Sequence, residues 1–194
     1  YAWLVLSCFL VLMQPLFTLF IAPMFNKFTP LEDGELKDRI NSFAQSVNFP
    51  ISRIDVMDGS RRSSKSNAYF SGLGKNKRIA LFDTLIEKHS VDELVSIIAH
   101  EVGHYKKGHN IKGIVLGVIQ VGIMFFFLSF FLNNPQLFAA FKMENLSTYA
   151  SLLFFSLLYS PIELIMSFVA NKISRKHEFE ADAFARKSIG SGKH

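Results

Sequence analysis

Three stretches of this chain are apolar and almost free of charge, and a mixed, charged stretch separates the first from the second. Residues 1–26 hold no Asp, Glu, Lys or Arg, Gly113 to Phe141 hold none either, and the run from about Leu146 to Ala170 holds one acid, Glu163. A helix crosses the roughly 30 Å of a bilayer's hydrocarbon in about 20 apolar residues. The pattern therefore predicts transmembrane helices over 1–26, 113–132 and 146–170, with a turn at Asn133-Asn134-Pro135 and a short loop over 133–145. Pro15 and Pro23 would kink or end the first span. That run lacks a basic n-region and an Ala-x-Ala site, so it does not read as a signal peptide. Acids within a span face protein or water rather than lipid. Glu163 accordingly reads either as lining a wet cavity or as a helix-end residue paired with a nearby base.

The intervening residues 27–112 read as an α/β piece. A helix is expected from Leu31 to about Val47, and Ile51 to Met57 alternates like a strand. Asn67 to Phe70 and Arg78 to Phe82 read as two strands joined by a turn over Gly72 to Lys77. The next helix has a sharp start: Ser90-Val91-Asp92-Glu93 fits a capping box, with Ser90 as N-cap and Glu93 reaching back. It runs to about Gly108, a suitable C-terminal breaker. A last helix is expected over 171–194.

Composition supports the membrane reading: 49% of the 194 residues are hydrophobic and 21 are Phe. The chain starts at Tyr1 without an initiator Met and stops soon after the last helix, so it is expected to be a fragment of something longer. The single Cys8, in an apolar run, excludes a disulfide framework and a cysteine-built structural zinc site. A net charge of +5 could suggest nucleic acid, but the apolar blocks make membrane topology the more economical explanation, and no nucleic-acid partner is expected. The basic residues gather in 27–112 and after Ala170, while the connection near 133–145 carries only Lys142. Two spans between basic regions put both on one side, the cytosolic one by positive-inside bias.

Candidate chemistry sits in the Ser90 helix. His100-Glu101-Val102-Gly103-His104 matches H-E-x-x-H. Positions i and i+4 share a helical face, so both imidazoles can reach one Zn2+ ion, and Glu101 can hold the water that zinc activates. The bland alternative, two solvated histidines, is disfavoured by the apolar flanks Leu94, Val95, Ile97, Ile98 and Ala99. Gly103 costs about 1 kcal/mol relative to alanine inside a helix, and it makes sense if another element passes close by. A third ligand is needed. His109 is one residue out of register for the longer H-E-x-x-H-x-x-G-x-x-H pattern and reads as a helix-end residue. Glu178 is the better candidate. Glu178 and Asp182 share a helical face, so Glu178 can bind zinc while Asp182 orients a ligand histidine or donates a proton. His177 and Glu180 point elsewhere on that helix and read as structural or exposed.

These pieces together resemble a known family. Ser66-Asn67-Ala68-Tyr69-Phe70, the segment Arg78 to Leu85, Ala99 to His104 and Glu178-Phe179-Glu180-Ala181-Asp182-Ala183 are similar to the type I CAAX prenyl proteases, as is Ile21 to Leu31. These are integral-membrane zinc metalloproteases of the endoplasmic reticulum and inner nuclear membrane. The resemblance implies a mainly α-helical integral membrane protein with a zincin-like α/β catalytic region inserted between transmembrane helices. It implies one zinc per chain on His100, His104 and Glu178, Glu101 as general base, and Asp182 as proton donor or histidine orienter. It also implies that Asn67, Ala68, Tyr69 and Phe70 form the edge strand that pairs with an extended substrate. The expected activity removes the last three residues of prenylated CaaX proteins that reach the enzyme from membrane lipid. The expected location is the endoplasmic reticulum membrane, multi-pass, with the inner nuclear membrane as a second address. The residues that would stabilise an oxyanion in that family have no counterpart before His194. Alternatives are a more general quality-control protease of membrane proteins and an inactive membrane scaffold that retains the motif.

Overall fold

The computed structural model describes residues 1–61, 67–71, 77–132, 134–142 and 147–190, the side chains of 18 and 19 aside. It divides into two compact units, one of Tyr1–Val11 with Ile111–Arg175 and one of Leu12–Asn110 with Lys176–His194.

The first unit is helical; of the N-terminal helices it holds only the start of the first, and the residues from Leu12 to Phe25 belong to the second unit. Helix α1 spans Ala2–Leu16. Five residues of wider, π-type helix, Phe17–Ile21, follow it, and α2 covers Ala22–Phe25. The single span expected over 1–26 is thus interrupted just after Pro15, whose missing N–H removes a rung of the helical ladder. The second expected span appears as α6, His109–Phe131. On α1, the Trp3 indole donates to the Val118 carbonyl at 3.2 Å and lies over Gly122, where a Cβ would meet its nitrogen at 3.0 Å. The expected loop over 133–145 contains a short helix, α7, Pro135–Ala140. Asn134 caps it by accepting from the N–H groups of Gln136 and Leu137 (3.0 and 3.3 Å), and Pro135 fills the first helical position. Asn-Pro read as a turn was in fact a helix start.

The two elements expected over 146–170 and 171–194 are one helix, α8, Thr148–Gly190, of 43 residues with Pro161 inside it. No glycine or proline follows Ala170 before Gly190, so nothing stops the helix there. Helices α6 and α8 are long and apolar enough to cross a membrane, with mean hydropathy of 2.5 and 1.9 over their most apolar windows. Glu163 is exposed on α8.

The second unit holds a four-stranded sheet in the order β1-β2-β4-β3. Its strands are β1 Phe28–Pro30, β2 Arg53–Met57, β3 Ala68–Ser71 and β4 Arg78–Phe82. β1 went unseen in the sequence because three residues ending in proline give no alternation to read. β2 and β4 run parallel, with Arg53 opposite Arg78 and Met57 opposite Phe82. β3 runs antiparallel to β4, with Ala68 opposite Leu81. The turn expected between them lies almost wholly in 72–76, outside the described residues, as does Ser66.

Helix α3, Glu35–Ser46, buries Ile40, Phe43 and Ala44, the i, i+3, i+4 stripe of an amphipathic helix. Helix α4, Asp83–Lys88, continues from β4. Helix α5, Val91–Lys106, starts with the predicted capping box: the Ser90 N–H donates to Glu93 at 2.8 Å and the Glu93 N–H to the Ser90 hydroxyl at 3.4 Å. α5 buries Leu94, Val95, Ile98, Ala99, Val102 and Gly103, which join Ile40, Phe43, Ile54, Ile79 and Leu81 in one core. β4 is the core's central strand, with Ile79, Ala80 and Leu81 all at or below 1% exposure.

One of the sheet's charges is buried. Asp55 on β2 is fully buried, with one carboxylate oxygen 2.6 Å from Arg53 Nε and the other on Arg78 Nε. Both arginines retain solvent access, whereas the carboxylate has none. A buried charge left without its partner costs several kcal/mol, while a stranded surface arginine returns to water. Arg78→Met should therefore destabilise by roughly 2–3 kcal/mol and Asp55→Asn by about 1 kcal/mol. Thermal unfolding of the detergent-solubilised protein reads this, and the reverse ranking would contradict it.

Candidate metal centre

The centre is built where α5 meets the last third of α8. α5 presents His100 and His104 on the flank of its buried stripe. α8 crosses at Gly103, where an added Cβ would lie 3.0 Å from Ala181 Cα, 3.1 Å from Ala181 O and 3.3 Å from Phe184 Cβ. Two of those neighbours are backbone and cannot swing aside. On the α8 side, Ala181 and Ala185 are buried, 0% and 8% exposed, and keep the approach close. One turn apart on this segment, Glu178 and Asp182 then flank His100.

The distances describe a compact donor set. His100 Nε2 and His104 Nε2 are 3.0 Å apart, and Glu178 Oε2 lies 3.3 Å from the first and 3.6 Å from the second. The rings themselves are 4.7 Å apart and inclined at 61°. Tetrahedral zinc with bonds of roughly 2.0–2.1 Å needs about 3.3 Å between ligand atoms. The three edges bracket that figure, and two imidazoles with one carboxylate are a donor set that suits zinc, so the residues present fit the ion. Asp182 Oδ1 lies 2.8 Å from His100 Nδ1. A carboxylate only accepts, so His100 donates from Nδ1 and its Nε2 offers a lone pair. Asp182 is thereby in place as an orienter of His100.

Burial acts on the neighbouring groups in useful directions. It raises the Glu101 carboxyl above its ordinary pKa; His100 opposes this and Glu178 adds to it. Burial lowers the His104 imidazole below its ordinary pKa, with Glu178 opposing and His100 and His109 assisting. His104 is thus favoured in the neutral form a metal needs, and Glu101 is shifted toward the range of a useful proton acceptor.

Three residues that the sequence did not assign to the site lie against it. Gly108, at φ +66°, ends α5 and turns the chain so that His109, the first residue of α6, folds back. His109 is 4% exposed. Its Nδ1 lies 3.0 Å from His104 Nδ1 and its Nε2 lies 3.1 Å from Glu180 Oε2. His177 stacks on its ring at 4.0 Å and 10°. His109 does stand at a helix end, as the first residue of α6, and His177 and Glu180 leave α8 on other sides than Glu178; what the sequence did not give is that the three meet one another behind His104. A helical wheel drawn for each helix separately cannot show contacts made across a turn in the left-handed region. The signal that could have found them is a glycine followed by a histidine directly after the metal motif.

Of the candidate substrate strand, Ala68 to Phe70 fall in β3, at the end of the sheet order, and Asn67 immediately precedes it. The Asn67 carbonyl accepts from the Phe82 N–H at 3.0 Å, and its side chain accepts from the Ala68 N–H at 2.9 Å. Ala68 and Phe70 face the core, where Phe70 meets the Phe49 ring edge-on at 5.3 Å.

Comparison with known proteins follows the same lines. Residues 30–193 match the model of peptidase family M48. The chain is 41% identical over 187 residues to the "CAAX prenyl protease 1 homolog" of Oryza sativa subsp. japonica, covering 96% of the chain and 44% of the relative. It is 42% identical over 193 residues to "CAAX prenyl protease 1" of Saccharomyces cerevisiae, covering 91% and 43%. It is 36% identical over 232 residues to the Homo sapiens homolog, covering 100% and 49%. The crystal structure of S. mikatae Ste24p superposes with a TM-score of 0.79 at 38% identity, over 95% of this chain and 48% of that one. The chain thus spans a little under half the length of these relatives.

The crossing yields a graded prediction. Gly103→Ala should push α8 outward by a few tenths of an ångström and weaken metal retention, with loss of thermal stability below about 2 kcal/mol. Gly103→Val should abolish metal retention. Metal content after gel filtration, beside a melting curve, measures both; full metal occupancy in the valine variant would contradict the geometry.

Proposed function

This chain belongs to peptidase family M48, and we propose that it is the zinc-binding portion of a membrane metalloendopeptidase that removes the last three residues of prenylated CaaX proteins. The observation that carries the proposal is the triangle of His100 Nε2, His104 Nε2 and Glu178 Oε2, with edges of 3.0, 3.3 and 3.6 Å. Its relatives bear the name of that activity over nearly the whole chain. The reading places the enzyme in the endoplasmic reticulum membrane as a multi-pass protein, with α6 and α8 as spans.

His100, His104 and Glu178 would hold zinc, which when bound lowers the pKa of a water ligand toward 7 and polarises the scissile carbonyl. Glu101, next to His100 in sequence, would take a proton from the attacking water on its carboxylate and return it to the nitrogen of the departing amine. Its burial-raised pKa serves both halves of the shuttle. Asp182 keeps the His100 Nδ1–H directed away from the centre. β3 offers an extended peptide the N–H and C=O groups of its outer edge. An apolar prenyl chain partitions into the bilayer, which suits an enzyme whose helices expose Leu, Ile and Phe. The complete donor set weighs against a scaffold that has lost its chemistry.

Two experiments test this reading. The protein is incubated with a farnesylated CaaX peptide and with its unprenylated counterpart, with and without a zinc chelator, and the products are weighed by mass spectrometry. Loss of the last three residues from the farnesylated peptide alone is expected, and chelation should stop it. Equal cleavage of both peptides would instead favour a general quality-control protease. Separately, Glu101→Gln should retain zinc while the rate falls by roughly 10²–10⁴. A Gln variant cleaving at the parental rate would remove Glu101 from its role.

A further inference from the structure

The two metal-facing imidazoles are supported from behind in different ways. Asp182 reaches His100 directly, at 2.8 Å. Among the described residues no carboxylate is hydrogen-bonded to His104 Nδ1; what lies there is another imidazole, His109 Nδ1, at 3.0 Å. The far nitrogen of His109 meets Glu180 Oε2 at 3.1 Å.

From this chain of contacts, and resting on the zinc reading above, we propose that His109 and Glu180 form a relay that fixes the tautomer and orientation of His104. Glu180 and His109 are positioning residues: neither touches the substrate or the ion. The proton order follows from donor and acceptor rules. An ionised carboxylate only accepts, so His109 donates from Nε2. A neutral imidazole has one N–H, so His109 Nδ1 carries a lone pair. Two lone pairs share a 3.0 Å contact only where a cation lies between them, as between the two Nε2 atoms; none is called for here, so His104 donates from Nδ1. His104 Nε2 is then left with its lone pair directed at His100 Nε2 and Glu178 Oε2. One carboxylate thus sets two imidazoles in sequence, and the second is made a ligand.

Packing keeps the relay in register. His109 is 4% exposed, so water does not compete for its nitrogens. His177 stacks flat on its ring at 4.0 Å, which fixes the ring plane. Lys176 Nζ, one turn earlier on α8, lies 3.9 Å from the other oxygen of Glu180. Gly108, in the left-handed region at φ +66°, supplies the turn that brings His109 back toward His104. Burial alone would require partners for both nitrogens; what marks His109 is that one of its partners is a metal-facing imidazole.

The test measures metal affinity and needs no substrate. Zinc-loaded full-length protein is titrated with a chelator of known affinity, beside variants at both relay positions. His109→Leu removes the acceptor and should weaken zinc roughly 10–100-fold, as losses of such supporting hydrogen bonds do. His109→Asn places Oδ1 near the lost Nδ1 and should restore most of that affinity. Glu180→Leu, at a partly exposed position that disturbs packing little, should weaken zinc toward the lower end of the same range. Cobalt substitution gives a second readout: the d–d bands should shift in both leucine variants and return toward the parental spectrum in His109→Asn. Parental zinc affinity in Glu180→Leu, or equal weakening in His109→Leu and His109→Asn, would overturn the relay while leaving the metal centre intact. Failure of the parental protein itself to bind zinc would overturn the metal centre, and the relay with it.

Discussion

The close approach of α8 to α5 at Gly103 is the constraint on which the centre depends. Three ligand atoms must meet within about 3.6 Å, yet they come from helices 74 residues apart in sequence between His104 and Glu178. Helix axes packed through ordinary side chains lie about 8–10 Å apart. A short acidic side chain such as glutamate reaches two imidazoles across such a gap only when the backbones are drawn together. Gly103 and Ala181 permit this, the glycine at a cost of about 1 kcal/mol of helix propensity. The cost is offset by the core beneath, since Val102 and Ala99 on α5 and Ala185 on α8 bury in the same cluster.

The sheet and the capping box serve that crossing from the other side. β3 lies against α5, and Ile79 and Leu81 of β4 join the same core. Ser90 and Glu93 fix where α5 begins, and the register of every later residue follows from that start. His100 and His104 therefore emerge at a set angle from the buried stripe, half-covered and held. Glu101 follows His100 by one position and so projects about 100° away around the helix. Its carboxylate therefore stands apart from the candidate donor set of His100, His104 and Glu178.

Most of the centre was legible in the sequence because its parts obey local rules. H-E-x-x-H and E-x-x-x-D both rest on the i, i+4 spacing of a helix, Ser90 to Glu93 on capping chemistry, and Gly103 on the cost of a glycine with no local reason. The fold was legible where elements are long or alternate, as in α5, α6, β2 and β4. What escaped lacks such a period. β1 is three residues, α7 begins at an Asn-Pro that also fits a turn, and α8 runs through a boundary where apolar residues give way to charged ones without a break. The change of composition at Ala170 marks a change of surroundings along a helix that does not end there. His109 and Glu180 escaped for another reason: their contact depends on the left-handed turn at Gly108 and on the crossing itself, neither of which a single-helix wheel contains.

The asymmetry between the two histidines follows from the same geometry. Asp182 lies one turn beyond Glu178 on α8 and so falls beside His100, the ligand nearer the start of α5. His104 lies one turn further along α5, near the helix end, and α8 runs past it with Glu180, whose side chain leaves α8 about 200° around from that of Glu178. From that direction a carboxylate does not reach Nδ1 of His104, and the gap is the width of an imidazole. The chain turning back at Gly108 inserts one there. The same turn begins α6, so the residue that completes the support of the second ligand is also the first residue of a long apolar helix. The aim of His104 is consequently tied to the left-handed conformation of Gly108.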